Sequence, residues 1–229
     1  MPTTALPIPP TTHGTAMACG FNEGGQLGLG DTDNRDTFTV VAGLRGVVDI
    51  DAGEMFSIAV TCEGEVWTWG RGHAIGHRGD AEGPNSDEDT EWIVPTKVTG
   101  GGIDEAAIVQ VAASQEYSMA LTVTGELLTW GTGLEEEAMP RVVDGIEGAV
   151  TGMSGGHMHS LVTTAEGRVL AFGCNGVEVE YDSDDEDLDE PFFAVGRLGL
   201  GAGVEEALTP TAIDGIAMGE GGEGKEGKE

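Results

Sequence analysis

The sequence predicts an all-β fold built by repetition, and three observations predict it. A strand–turn–strand unit recurs: FSIAVTCEGEVWTWG at 56–70, YSMALTVTGELLTWG at 117–131 and HSLVTTAEGRVLAFG at 159–173 align without a gap. Glycine supplies 39 of the 229 residues, about twice the usual share, which suits a chain with many tight turns. Finally, both faces of the strand after each turn are apolar or small. Trp67, Leu128 and Leu170 share a face with Trp69, Trp130 and Phe172, while the opposite face carries Val66, Leu127 and Val169, then Thr68, Thr129 and Ala171.

Each element follows from these patterns. Phe56, Ile58 and Val60 alternate with Ser57 and Ala59 and read as a strand; Glu63-Gly64 breaks the run, and Val66–Trp69 begins a second strand. Across the copies the repeated serines are Ser57, Ser118 and Ser160, and the turn glycines are Gly64, Gly125 and Gly167. The strand-ending pairs are Trp69-Gly70, Trp130-Gly131 and Phe172-Gly173, and an earlier copy begins at Ala18-Cys19-Gly20 without its preceding strand. A second element recurs as Phe38–Gly43, Pro95–Gly100, Pro140–Gly145 and Pro210–Gly215, and a third as GGQLGLG at 24–30 and GRLGLG at 196–201, with a weaker echo at 74–79. A lone hairpin is marginal in water, and a strand apolar on both faces needs cover on both. Stacking successive sheets around an axis supplies that cover, which is the packing of a β-propeller. The strand-ending glycines Gly20, Gly70, Gly131 and Gly173 are spaced by 50, 61 and 42 residues. Propeller repeats run about 40–50, so the long interval holds an insertion. The expected architecture is a partial or small propeller of about four blades over 15–216, between disordered segments at 1–14 and 217–229.

Four stretches carry a family resemblance: CGFNEGGQLGLGD (19–31), DAGEMFSIAVTCEGEVWTWG (51–70), AASQEYSMALTVTGELLTWG (112–131) and SGGHMHSLVTTAEGRVLAFG (154–173). They resemble the repeats of the regulator of chromosome condensation family, over roughly residues 18–216. The resemblance implies four-stranded blades, seven of them in the best-known members, so this chain reads as a divergent or truncated member. It also implies two functional classes. One is a protein-interaction propeller; the other is nucleotide exchange on a small GTPase of the Ran type, although the founding member's nucleotide-displacing wedge has no match here. A plant ultraviolet-B photoreceptor shares the repeats but relies on a Gly-Trp-Arg-His-Thr motif that this sequence lacks.

Composition narrows the partners. The formal charge of −31 repels nucleic acid and anionic membranes, and favours a protein with a basic surface, such as a histone. Two acidic stretches interrupt the repeat: GDAEGPNSDEDTE at 79–91 and EVEYDSDDEDLDE at 178–190. Both follow the apolar-Gly strand, so they are expected at corresponding places on neighbouring blades. Their candidate partner-binding residues are Asp87, Glu88 and Asp89, and Asp184, Asp185, Glu186 and Asp187. Ser86 and Ser183 precede these acids and resemble acidophilic kinase sites, where a phosphate adds about −1.5 to −2 charge. A ring left open would expose strand edges and an apolar blade face, and self-association is then expected.

No catalytic, cofactor or metal site is read. A catalytic serine is singular and paired with a base, whereas Ser57, Ser118 and Ser160 recur as a set and indicate architecture. His157 and His159 form HMH, but His159 aligns with Phe56 and Tyr117 at a structural position; His73 and His77 lie in a Gly-rich loop. Asp31–Asp36 resembles the start of an EF-hand loop, yet Arg35 occupies a ligand place and the central glycine is missing. GFNEGGQLGLG lacks the Lys-Ser/Thr of a phosphate loop. Cys19, Cys62 and Cys174 form no CxxC pair and read as reduced thiols of an intracellular protein, cytoplasmic or nuclear. The N-terminal residues carry no basic n-region, and no apolar run is long enough to span a bilayer.

Overall fold

The computed structural model describes residues 14–77, 91–115, 117–131, 137–175, 178–179, 192–193, 197–201 and 203–215. The terminal segments assigned on sequence, 1–14 and 217–229, lie outside these residues apart from Gly14, whose N–H donates to the Val47 carbonyl at 3.0 Å. The chain begins with β1 (Met17–Gly20) and β2 (Arg35–Val40), which pair as the outer half of a blade. Three four-stranded antiparallel sheets follow and account for the repeats. Blade 1 contains β3 (Val47–Ala52), β4 (Phe56–Thr61), β5 (Val66–Gly70) and β6 (Trp92–Lys97). Blade 2 contains β7 (Ile108–Ala113), β8 (Tyr117–Thr122), β9 (Leu127–Gly131) and β10 (Glu137–Val142). Blade 3 contains β11 (Val150–Gly155), β12 (His159–Thr164), β13 (Val169–Cys174) and, after the short pair β14 (Glu178–Val179) and β15 (Phe192–Phe193), β16 (Glu206–Ala212). Among the described residues, the expectation of about four propeller blades thus resolves into three whole blades and one half.

The recurring hairpin forms the middle two strands of each blade. Gly64, Gly125 and Gly167 sit at its turn with φ of 79°, 86° and 78°, a region that side-chain-bearing residues seldom adopt. The innermost strand starts with the same register shift in all three blades, at Val47/Asp49, Ile108/Gln110 and Val150/Gly152. Such a bulge adds twist and sends Val47, Ile108 and Val150 inward, where all three are buried.

The blades stack face to face, as the two-sided strands require. Phe56, Ile58, Val60 and Val66 of blade 1 pack against Val111, Ala120, Leu128 and Trp130 of blade 2. Tyr117, Met119, Leu121 and Leu127 of blade 2 meet Val162, Leu170 and Phe172 of blade 3. On the other side of blade 1, Trp69 and Ala59 lie with Ala16, Val41 and Leu44 of the half-blade region. The bulky groups opposite each ring come mainly from the strand before the turn, a contribution that the third and fifth positions of that strand already spell out.

Loops from the half-blade and from blade 1 clasp the blade that follows each. The Gln26 carbonyl accepts hydrogen bonds from Ser57 Oγ (2.9 Å) and Trp69 Nε1 (2.8 Å). Ser118 Oγ donates to the Ala74 carbonyl (2.8 Å), in the 3-10 turn His73–Ile75. At Gly28, φ is +68° and a Cβ would stand 2.8 Å from the Trp69 ring; at Gly76, φ is +69° and a Cβ would stand 2.6 Å from Trp130 Nε1. The bonds from Ser57 and Ser118 join successive units, and the Gly-rich loops are platforms for an indole. Among the described residues, Ser160 pairs with the Tyr117 hydroxyl at 2.7 Å.

Trp69→Ala is expected to cost about 3–5 kcal/mol, because it empties a buried ring site and removes a clasp hydrogen bond. Val142→Thr, at a half-exposed edge position, should stay within about 0.5 kcal/mol. Urea unfolding of both variants measures the contrast.

Candidate interaction rim

In an antiparallel four-stranded blade, the turn between strands one and two and the connection between strands three and four leave from the same edge. The register shows this directly: Phe56 pairs with Gly70, Tyr117 with Gly131 and His159 with Gly173. Arg71 N–H donates to the Met55 carbonyl, and Cys174 N–H to that of Met158 (2.8 Å each). Both acidic stretches fall in connections of the second kind, whose described starts, Arg71 and Cys174, lie at the same edge as the first turns. They belong to blades 1 and 3, with blade 2 between them; the expectation of neighbouring blades is corrected accordingly, because the hairpin at 117–131 intervenes.

The first turns line an open concavity of about 430 Å³ at the inner end of this rim: Ala52–Glu54, Ala113–Gln115 and Gly155–His157. Each turn closes in the same way, with Gly53, Ser114 and Gly156 N–H donating to the carbonyls of Phe56, Tyr117 and His159. Polar bonds then cross from blade to blade. Gln115 Nε2 donates to Glu54 Oε2, and Ser114 Oγ to the carbonyls of Gly156 and His157. Below the rim, Asp49 and Asp51 of β3 accept from the N–H groups of Val111 (3.1 Å) and Ala113 (2.9 Å) on β7. Burial pushes the Asp49 carboxyl above its ordinary pKa, partly countered by backbone N–H groups. The lining offers carboxylate, amide, imidazole and backbone carbonyls, which suit a cationic hydrogen-bond donor. Among the described residues no cluster of histidines, cysteines and acids could hold a metal.

The bases of the acidic stretches are structured. At the first, His77 and Trp92 stack with centroids 4.5 Å apart. Thr68 gives its single hydroxyl proton to the Ile75 carbonyl, so its oxygen accepts from His77 Nε2–H at 2.9 Å. His77 Nε2 thereby carries a proton, and burial lowers the pKa of the ring, which favours its neutral form. At the second, Glu178 pairs with Phe193 and Val179 with Phe192, a two-residue ladder. Sequence reasoning missed both bases; His77 beside a buried threonine gave no local signal. The candidate residues Ser86, Asp87, Glu88 and Asp89, and Ser183, Asp184, Asp185, Glu186 and Asp187, lie outside the described residues.

Other sequence candidates resolve into structure. His159 packs over Gly156, and burial lowers its pKa. Asp31 pairs with Arg35 at 2.6 Å, caps Asp33 N–H and is held below its ordinary pKa chiefly by the Arg35 hydrogen bond. Asn22 Oδ1 accepts Leu27 N–H (2.8 Å) and organises the GGQLGLG loop. Cys19, Cys62 and Cys174 are free thiols.

The His77 site has a pH signature. The unfolded chain protonates this residue near its ordinary value of about 6.5, while the folded chain resists until lower pH. Stability contributed by the neutral form is therefore present above about pH 6.5 and lost as pH falls toward the folded pKa. His77→Gln should lose less stability than the parent between about pH 7 and 5.5, measured as the difference between paired urea melts.

Comparison with known proteins agrees with this architecture. Residues 13–60 match the regulator of chromosome condensation (RCC1) repeat, and residues 47–74 match a second description of it. The chain is 28% identical over 189 residues to the human E3 ubiquitin-protein ligase HERC2, covering 76% of this chain and 4% of the ligase. It is 35% identical over 126 residues to the mouse secretion-regulating guanine nucleotide exchange factor, covering 54% and 25%. Among solved structures, Prp20p of Saccharomyces cerevisiae, described with its binding properties to Gsp1p and histones, superposes with a TM-score of 0.65 at 20% identity, covering 93% of this chain and 49% of that one. The chain thus spans half or less of the length of these relatives. It is a divergent member of the regulator of chromosome condensation repeat family.

Proposed function

We propose that this chain is a non-catalytic protein-interaction propeller whose acidic rim binds a partner with a basic surface. The observation that supports this reading is the shared rim: the two acidic stretches of blades 1 and 3 leave from the edge that holds the acceptor-lined concavity. Focused negative potential of this kind raises association rates with cationic partners and repels nucleic acid. Phosphorylation at Ser86 or Ser183 would strengthen it. The reading places the protein inside the cell, in the nucleus or cytoplasm.

A Lys/Arg-rich histone-tail peptide tests the assignment. Its binding should weaken steeply as salt rises, and deletion of 178–190 combined with D87N, E88Q and D89N should weaken it about tenfold or more at low salt. Unchanged binding in that variant overturns the acidic-rim reading. The similarity to an exchange factor supports a second reading, nucleotide exchange on a Ran-type GTPase. Accelerated nucleotide release from such a GTPase would favour it over a passive platform.

A further inference from the structure

We draw no further inference here: the strongest candidate, the concavity lined by the first turns of the three blades at Ala52–Glu54, Ala113–Gln115 and Gly155–His157, belongs to the interaction rim already described.

Discussion

The structure depends on a polar bond made across each blade boundary. A buried indole or hydroxyl is costly unless it is hydrogen-bonded, and no partner inside its own blade serves Trp69 Nε1 or Ser57 Oγ. Both reach the Gln26 carbonyl of the preceding loop. Each blade is therefore complete only when its neighbour is present, and the apolar faces that flank the bond follow the same rule. The dependence weakens along the chain. Ser118 keeps its loop carbonyl, Trp130 Nε1 is buried without a partner, and Ser160 turns to Tyr117 and Met119.

Because the interior is committed to this stacking, variation collects at the edges. The connections between third and fourth strands leave from the rim, so long acidic stretches cost the fold little there. The antiparallel order brings them to one rim, where the first turns of three blades already meet. Hydrogen bonds from Gln115 to Glu54 and from Ser114 to blade 3 tie those turns together. The tied turns form the inner edge of that rim.

The faces of the stack differ at its two ends. On the trailing side, His159, Leu161 and Thr163 stand where blade 2 has Tyr117, Met119 and Leu121, and a loop centred on Leu198 covers Ala171. The leading side keeps Met17 and Phe38 in the open.

The repeat, the alternation and the turn glycines were legible in the sequence because they are local: a period of two, a positive φ and a recurring length leave marks on neighbouring residues. They determined the all-β class, the hairpins and the buried rings. Only the tertiary structure decided what each group meets. The Gln26 carbonyl, the stacking of His77 on Trp92 and the convergence of residues 52–54, 113–115 and 155–157 join residues far apart in the chain, and a backbone carbonyl carries no side-chain signature. Which blades bear the acidic stretches likewise follows from how sheets stack in space.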